Sequence, residues 1–238
     1  MILAVVPARG GSKGLPGKNL RALGGLSLLG HAVRLVERCA SVDESVVSTD
    51  DDAIAAEAQA LGALVLRRPA ALARDDTPMW PVLQHALAEL DPDGSRFSAL
   101  VLIDPTSPLR LPDDVERAVA LLRSRPDADG VVSVSQPHFS VVWQAVVEGQ
   151  GGVLERLVPS GDGLVRRQDA PIASFVNGCV YAWRTGFVRD GTDDYLRGRN
   201  LPLETPELRA RTIDTEDDLA VCAALLAAGL VSLPWLQP

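Results

Sequence analysis

Short uncharged apolar runs alternate with amphipathic segments from residue 2 to residue 135. Strands such as Ile2–Val6 and Ala99–Ile103 show no polar alternation, which is typical of strands buried on both faces of a sheet. Each run is followed by a helical pattern, so the chain is predicted to form an α/β fold with a mostly parallel sheet between helices. The predicted strands are Ile2–Val6, Val46–Ser48, Ala63–Leu66, Ala99–Ile103, Gly130–Ser135, Val176–Trp183 and Ala210–Ile213, and the predicted helices are Ser27–Ala40, Asp51–Leu61, Pro78–Leu90, Pro112–Arg123 and a last helix that ends at Gly229.

The position of a ligand site follows from this pattern. Ligands of open parallel sheets bind beyond the carboxyl ends of the strands. The loop after Val6 and the loop after Ile103 are therefore predicted to lie on one rim of the sheet.

The pattern changes at Gln136. Val141–Val147 and Val153–Val158 are β-like and are separated by three glycines, which predicts a hairpin. Residues 136–175 are interpreted as a flap or dimerisation arm on a single domain that spans residues 1–238.

Composition narrows the function classes. The chain has 31 acidic against 23 basic residues and a net charge of −8, so it lacks the broad positive field with which proteins bind nucleic acid. The sequence contains no CxxC pair, so it gives no indication of a zinc site. Leu219–Leu236 is uncharged, but Gly229 and Pro234 interrupt it. It is therefore interpreted as a core helix and its tail rather than a membrane anchor, and a cytoplasmic protein without a membrane partner is expected.

A Gly-rich basic loop follows the first strand, from Pro7 to Asn19. Four glycines allow backbone N–H groups to approach a phosphate, and Arg9, Lys13 and Lys18 add positive charge. The spacing matches neither GxxxxGK[ST] nor GxGxxG. A flexible basic turn is the alternative, but the position at the end of a strand favours a triphosphate site.

The segment Val6-Pro-Ala-Arg-Gly-Gly-Ser-Lys-Gly-Leu-Pro-Gly-Lys-Asn19 resembles the signature loop of the acylneuraminate cytidylyltransferases, the CMP-sialic acid synthetase family. Further segments resemble later motifs of that family in the same order: Val47-Ser-Thr-Asp50, Arg68-Pro69, Asp75-Asp76-Thr77, Pro105-Thr-Ser-Pro-Leu-Arg110, Arg167-Gln168 and Asn177-Gly178.

This resemblance implies a Rossmann-like nucleotidyltransferase fold and a homodimer in which the partner's arm helps to close the sugar site. It also implies a division of the site. The expected ligands of the CTP phosphates and ribose are Arg9, Gly10, Gly11, Ser12, Lys18 and Asn19. Arg68 is expected at the cytosine, and Arg167, Gln168 and Asn177 are expected to face the sugar or its carboxylate.

The implied reaction is attack of the sugar's anomeric hydroxyl on the α-phosphorus of CTP, with pyrophosphate as the leaving group. Such catalysis depends on positioning and on neutralising oxyanion charge. Arg9, Lys18 and Asp214 are the predicted catalytic residues. Mg²⁺ is the expected cofactor, since it binds one or two carboxylates together with substrate phosphates.

Two positions depart from the family pattern. The family's Asp-x-Asp before the last helix is here Thr212-Ile213-Asp214, and Asp104 stands where sialic-acid enzymes commonly have Gln. A metal-binding Asp lies at about the position of Asp104 in the methylerythritol-phosphate cytidylyltransferases. We therefore predict that Asp104 and Asp214 together hold Mg²⁺. The alternatives are that Asp104 caps a turn or contacts the sugar, and that Asp214 is a helix N-cap.

Three functions stay open on the sequence. The favoured one is a cytidylyltransferase for N-acylneuraminate or a relative such as legionaminate or pseudaminate. A 3-deoxy-octulosonate cytidylyltransferase is the near alternative, against which the Pro-Thr-Ser-Pro loop argues. A nucleotide-binding module that has lost turnover is the third, prompted by Thr212.

Overall fold

The computed structural model describes residues 1–11, 14–136, 139–158, 163, 166, 169–191 and 194–236. The strands are β1 Ile2–Pro7, β2 Ala22–Leu23, β3 Leu26–Ser27, β4 Glu44–Thr49, β5 Leu64–Arg67, β6 Ala99–Leu102, β7 Gly130–Ser135, β8 Val146–Glu148, β9 Leu154–Arg156, β10 Phe175–Arg184 and β11 Asn200–Glu204. The α-helices are α1 Leu28–Val36, α2 Asp52–Ala60, α3 Met79–Leu90, α4 Pro112–Ser124, α5 Val141–Gln144, α6 Thr185–Asp190 and α7 Glu216–Ala227.

Seven strands form one sheet in the order β11-β7-β10-β6-β1-β4-β5. β1 is parallel to β4 and β6, and β4 is parallel to β5. β10 runs antiparallel between β6 and β7, and β11 is parallel to β7. The predicted α/β class with a mostly parallel sheet is confirmed.

Both faces of the sheet are covered, as the uncharged strands predicted. All six residues of β1 are buried. One face packs with α1 and α4 through residues such as Leu29 and Val119, and the other packs with α3 and α6 through residues such as Leu83 and Val188. Side-chain caps fix where helices begin: Ser27 Oγ accepts the Gly30 N–H at 3.0 Å at the start of α1.

The predicted strand Ala210–Ile213 is wrong. This segment is irregular, and the strand lies earlier, in β11. Ile213 is fully buried although it lies in a loop. Its N–H donates to the Thr106 carbonyl at 2.8 Å. β11 is an edge strand containing Pro202, which removes a ladder donor and weakens the sequence signal.

The described part of the arm contains a short hairpin. β8 and β9 pair antiparallel in a separate two-stranded sheet, with Val146 opposite Arg156, so the predicted hairpin is confirmed but begins later. Val141–Gln144 is a helical turn instead of a strand, and the Gln144 N–H donates to the Ser140 carbonyl at 2.7 Å. The arm leaves the main sheet after β7 and returns at β10.

α7 ends where predicted, with Gly229 at φ +68°. The tail after it turns back, and Val231 and Leu233 are buried with Leu15 and Leu23. Among the described residues no helix has the length and apolar character that crossing a membrane requires.

Candidate active site

Two adjoining cavities open at the carboxyl rim of the parallel strands, and both are lined by Asp104 and Thr106. The smaller, of about 150 Å³, is lined on its other sides by Pro7, Arg9, Gly11, Lys18, Asn19, Arg68 and Met79. The larger, of about 500 Å³, is lined by residues of the loop after β6, of β10 and of the segment before α7, among them Ser107, Ser135, Asn177, Gly178, Tyr181, Glu207, Arg211 and Thr212. The rim predicted from the two loops is where these cavities lie.

The Gly-rich loop is packed tightly against its neighbours. Gly10 N–H donates to Asp50 Oδ1 at 3.2 Å, and Asn19 Nδ2 donates to the Arg9 carbonyl at 2.9 Å. A Cβ on Gly10 would lie 2.5 Å from Asp51 Oδ2, and one on Gly14 would lie 2.7 Å from the Asp214 carbonyl oxygen. Side chains at these two positions would displace the loop, so the glycines are required for this close approach.

Two cations of the loop are held by carboxylates. Arg9 Nη1 lies 2.5 Å from Asp75 Oδ1, and Lys18 Nζ lies 2.8 Å from Asp214 Oδ1. The Lys18 side chain is 15% exposed and Asp214 is 67% exposed, so the pair sits at the mouth of the smaller cavity. Gly11 also lines this cavity. The predicted phosphate ligand Ser12 lies outside the described residues.

Arg68 lies deep in the smaller cavity, at 7% exposure. Its Nη2 donates to the Ser48 carbonyl at 2.8 Å and its Nε to Ser48 Oγ at 3.3 Å. Burial lowers the pKa of the guanidinium, which the charge of Asp50 partly offsets. Its strongest hydrogen bonds are therefore made to Ser48 at the end of β4, and the residue also lines the smaller cavity.

Asp104 caps the turn that follows β6. Its Oδ1 accepts the Thr106 N–H and the Thr106 hydroxyl, both at 2.9 Å, which is the turn-capping alternative foreseen for this residue. Its Oδ2 makes no hydrogen bond to any described residue. One oxygen of Asp104 is thus structural, and the residue lines both cavities.

The N-cap of α7 is Thr215, whose hydroxyl accepts the Asp218 N–H at 3.2 Å while the Asp218 carboxylate accepts the Thr215 N–H at 2.9 Å. Asp214 is therefore not the N-cap, and its carboxylate is left to Lys18.

The donor set limits the kind of metal that fits. Within the described parts of the chain, no three His, Cys, Asp or Glu side chains converge. A site built from Asp104, Asp214 or both fits Mg²⁺ only if phosphate oxygens and water complete the octahedron. This is the mode in which Mg²⁺ accompanies a nucleoside triphosphate.

Asn177 is fully engaged inside the protein. Its Oδ1 accepts from Ser133 Oγ at 2.7 Å and from the Cys179 N–H at 3.1 Å, while its Nδ2 donates to Ser135 Oγ at 2.7 Å and to Thr205 Oγ1 at 2.6 Å. An amide side chain has two donors and two main acceptor positions, so these four bonds saturate it. Asn177 lines the larger cavity but shapes it mainly by fixing the irregular stretch of β10.

The predicted sugar ligands Arg167 and Gln168 lie outside the described residues.

Sequence reasoning missed an aromatic cavity of about 280 Å³ that borders Asp104, lined by Met79, Trp80, Leu83, Leu102, Tyr181, Trp183 and Tyr195. The Trp80 and Trp183 rings meet edge to face at 5.0 Å, and burial raises the pKa of Tyr181. The sequence did contain a signal for this cavity, the spacing of Tyr181 and Trp183. Residues i and i+2 of a strand share a face, so β10 brings the two aromatic side chains to one side of the sheet.

A mostly parallel α/β sheet with a glycine-rich cationic loop and two adjoining cavities at its carboxyl rim defines a nucleotide-binding protein of the nucleotidyltransferase type. Comparison of the sequence makes this specific, because residues 3–141 match the family model described as Cytidylyltransferase. The chain belongs to the cytidylyltransferase family.

Relatives carry more specific names. The chain is 36% identical over 155 residues to a CMP-N,N'-diacetyllegionaminic acid synthase of Legionella pneumophila, covering 65% of this chain and 66% of that protein. It is 30% identical over 233 residues to a protein of the same name from Campylobacter jejuni, covering 95% of each. An N-acylneuraminate cytidylyltransferase of Oncorhynchus mykiss is 30% identical over 190 residues, and the chain spans 43% of its length.

Solved structures support the fold. A CMP:2-keto-3-deoxy-manno-octonic acid synthetase in complex with CTP superposes with a TM-score of 0.71 at 19% identity, over 96% of this chain and 99% of that one. A 4-diphosphocytidyl-2C-methyl-D-erythritol synthase gives a TM-score of 0.67 at 14% identity, over 94% and 97%. At such identities the likeness is one of fold.

Proposed function

We propose that the protein transfers CMP from CTP to the anomeric hydroxyl of an acidic nine-carbon sugar, an N-acylneuraminate or a relative such as legionaminate, and releases pyrophosphate. The observation that carries the proposal is the pair of cavities that share both Asp104 and Thr106. The cation-lined cavity suits a triphosphate, and the larger cavity, lined by hydroxyl and amide groups together with Glu207 and Arg211, suits a polyhydroxylated acidic sugar. Their contact brings a hydroxyl of one ligand to a phosphorus of the other.

In this mechanism the loop cations exchange partners. Lys18 leaves Asp214, and Arg9 leaves Asp75, to donate to oxygens of the triphosphate. Charge that develops on the phosphate oxygens is then neutralised by groups already aimed at the site. Backbone N–H groups of the loop can add to this, as the glycines permit close approach.

The cofactor in this proposal is Mg²⁺, with Asp214 and the unbonded Oδ2 of Asp104 as its protein ligands. When bound, it would offset phosphate charge and favour departure of pyrophosphate. Departure of Lys18 to the phosphates would free the Asp214 carboxylate for this purpose.

The discriminating experiment is pyrophosphate release from CTP with a panel of acidic sugars: N-acetylneuraminate, N,N'-diacetyllegionaminate, pseudaminate and 3-deoxy-octulosonate. Turnover with a nine-carbon sugar is expected, and preference for 3-deoxy-octulosonate would favour the near alternative. CTP binding without turnover of any sugar would identify a module that has lost catalysis. UTP is expected to be a poor donor, and equal turnover with UTP would contradict the cytidylyl assignment.

We also propose that two copies associate through the arm. Apolar side chains of its hairpin are exposed in the single chain, at 74% for Leu154, 58% for Val153 and 50% for Val146. Exposed apolar side chains on a hairpin are typical of a surface covered by a partner. Sedimentation should give a dimer, and Leu154→Asp should shift it toward monomer, whereas Leu230→Asp, at a position 62% exposed outside the arm, should not. A fully active wild-type monomer would contradict this.

A cytoplasmic location is part of the proposal. It is supported by the three cysteines, all free and buried, as is usual in a reducing compartment.

A further inference from the structure

Arg110 lies behind the wall of the larger cavity and is 1% exposed. Its Nε donates to the Ser107 carbonyl at 2.9 Å, and its Nη1 donates to the Cys179 carbonyl at 2.8 Å. Ser107 lines the cavity from the loop after β6, and Gly178, next to Cys179, lines it from β10. One guanidinium therefore ties two facing walls of the cavity together.

The walls are close where Arg110 joins them. Gly178 has φ +72°, and a Cβ there would lie 3.6 Å from Ser107 Oγ and 3.8 Å from Thr212 Oγ1. The stretch of β10 around it departs from regular pairing between Val176 and Tyr181. An irregular strand needs an additional restraint to keep its spacing from the neighbouring loop, and the Arg110 fork supplies it.

The carboxylates whose charge acts on Arg110, Asp104 and Asp114 among them, do not form an ion pair with it. Among the described residues no carboxylate oxygen lies within 4.0 Å of its guanidinium, and its buried Nη2 has no hydrogen-bond partner. Asp114, one of the carboxylates around it, is bound by Arg209 Nη2 at 3.0 Å and by the Leu111 N–H at 2.8 Å. Burial lowers the pKa of Arg110, but arginine remains charged at neutral pH.

A buried charge without a paired carboxylate destabilises a protein. The attraction between the Arg110 guanidinium and an anion in the adjoining cavity is also stronger than it would be in water, because little solvent screens the buried charge. The proposed substrate carries a carboxylate into this cavity.

We propose that Arg110 is a positioning residue for the acidic sugar, which sets the spacing of the two cavity walls and adds a positive charge behind them. It is not itself part of the cavity lining, so it acts through Ser107, Gly178 and the field rather than by contact. This inference rests on the proposed function and names how the sugar site of that function is built.

The test compares Arg110→Lys with Arg184→Lys. Arg184 lies at the other end of β10, is half-buried, and donates to the Ala128 and Leu122 carbonyls at 2.9 and 3.0 Å, so it is a control for an arginine that bridges backbone carbonyls away from both cavities. An ammonium in place of the Arg110 guanidinium cannot hold both carbonyls in a fork.

Arg110→Lys is expected to raise the sugar KM by about tenfold or more, the effect of losing a charge-assisted hydrogen bond. The Kd for CTP should stay within about twofold of the wild-type value, because only the sugar cavity senses this group. Arg184→Lys should lower the melting temperature but leave the sugar KM unchanged.

The charge is tested separately with the sugar and its carboxylate methyl ester. Arg110→Gln should reduce the preference for the acid over the ester, while Arg110→Lys should largely retain it. A folded Arg110→Lys with wild-type sugar KM, together with an unchanged acid preference in Arg110→Gln, would overturn the proposal.

If neither variant folds, a double variant with Arg167→Gln and Arg211→Gln decides, because Arg211 also lines the larger cavity. It should keep part of the acid preference, because the Arg110 charge remains; complete loss of that preference would exclude a contribution from Arg110. Absence of wild-type turnover with every acidic sugar would instead reject the proposed function, and the inference with it.

Discussion

Removing the Lys18 ammonium tests the role of the Gly-rich loop. In the free protein Lys18 Nζ is 2.8 Å from Asp214 Oδ1, a carboxylate that is 67% exposed. An ion pair with one exposed partner typically contributes about 0–1 kcal/mol to stability, so Lys18→Ala should lower the melting temperature by no more than about 2–4 °C. The loss of a cation aimed at developing phosphate charge typically costs on the order of 10²–10³ in rate. Activity should therefore fall far more than stability.

The assay is continuous pyrophosphate release at saturating CTP and sugar, with melting measured on the same samples. The matched control is Arg21→Ala. Arg21 also pairs with the start of α7, through Glu216 Oε1 at 2.5 Å and Oε2 at 2.8 Å, but it lines neither cavity among the described residues. It should keep near-wild-type turnover. A Lys18→Ala enzyme with unimpaired kcat would show that the loop only turns the chain or only binds.

Asp104→Asn is expected to lower kcat and raise the Mg²⁺ concentration needed for half-maximal rate, and Thr212→Asp should partly restore both; a change confined to the sugar KM would make Asp104 a specificity residue. Arg167→Lys should raise the sugar KM, because an ammonium cannot form the bidentate pair of a guanidinium with a carboxylate, and an unchanged KM would contradict that assignment. His31 is buried and its pKa is lowered by burial, so as pH falls below about 6.5 the unfolded chain binds the proton first and the folded chain loses stability. His31→Gln should lose less stability than wild type between about pH 7.5 and 5.5 in urea titrations, and equal acid slopes would refute this.

The acid sensitivity expected at His31 follows from its bonding. Trp235 Nε1 donates to His31 Nδ1 at 2.9 Å, so Nδ1 is an acceptor and the proton must lie on Nε2, which faces the Leu23 carbonyl at 2.7 Å. Protonation of Nδ1 would break the bond to Trp235 and release the tail from α1.

The elements that the sequence predicted are those with strong local signals. Uncharged runs such as Ile2–Val6 became central strands, and Ser27 and Asp51 cap the helices that follow them. β11 was missed because an edge strand with Pro202 has little periodic signal. The segment before α7 was mistaken for a strand because Ile213 is buried by a loop contact that no local pattern encodes.

At the site, the local sequence predicted where the cations of the Gly-rich loop lie, but not which carboxylates pair with them. The pairing of Lys18 with Asp214 joins residues from opposite ends of the chain. The saturation of Asn177 likewise depends on Ser133, Ser135 and Thr205, which only the sheet brings together. Such contacts are set by tertiary packing, and single-sequence patterns carry no information about them.

The central claim is that the two cavities that share Asp104 bring CTP and an acidic sugar into reaction. The most direct test is incubation of the protein with CTP, Mg²⁺ and N,N'-diacetyllegionaminate or N-acetylneuraminate, with the products resolved by mass spectrometry. We expect a CMP-sugar and pyrophosphate in equal amounts, formed only when all components are present. Binding of CTP without any CMP-sugar, from either sugar and at any Mg²⁺ concentration, would contradict the account.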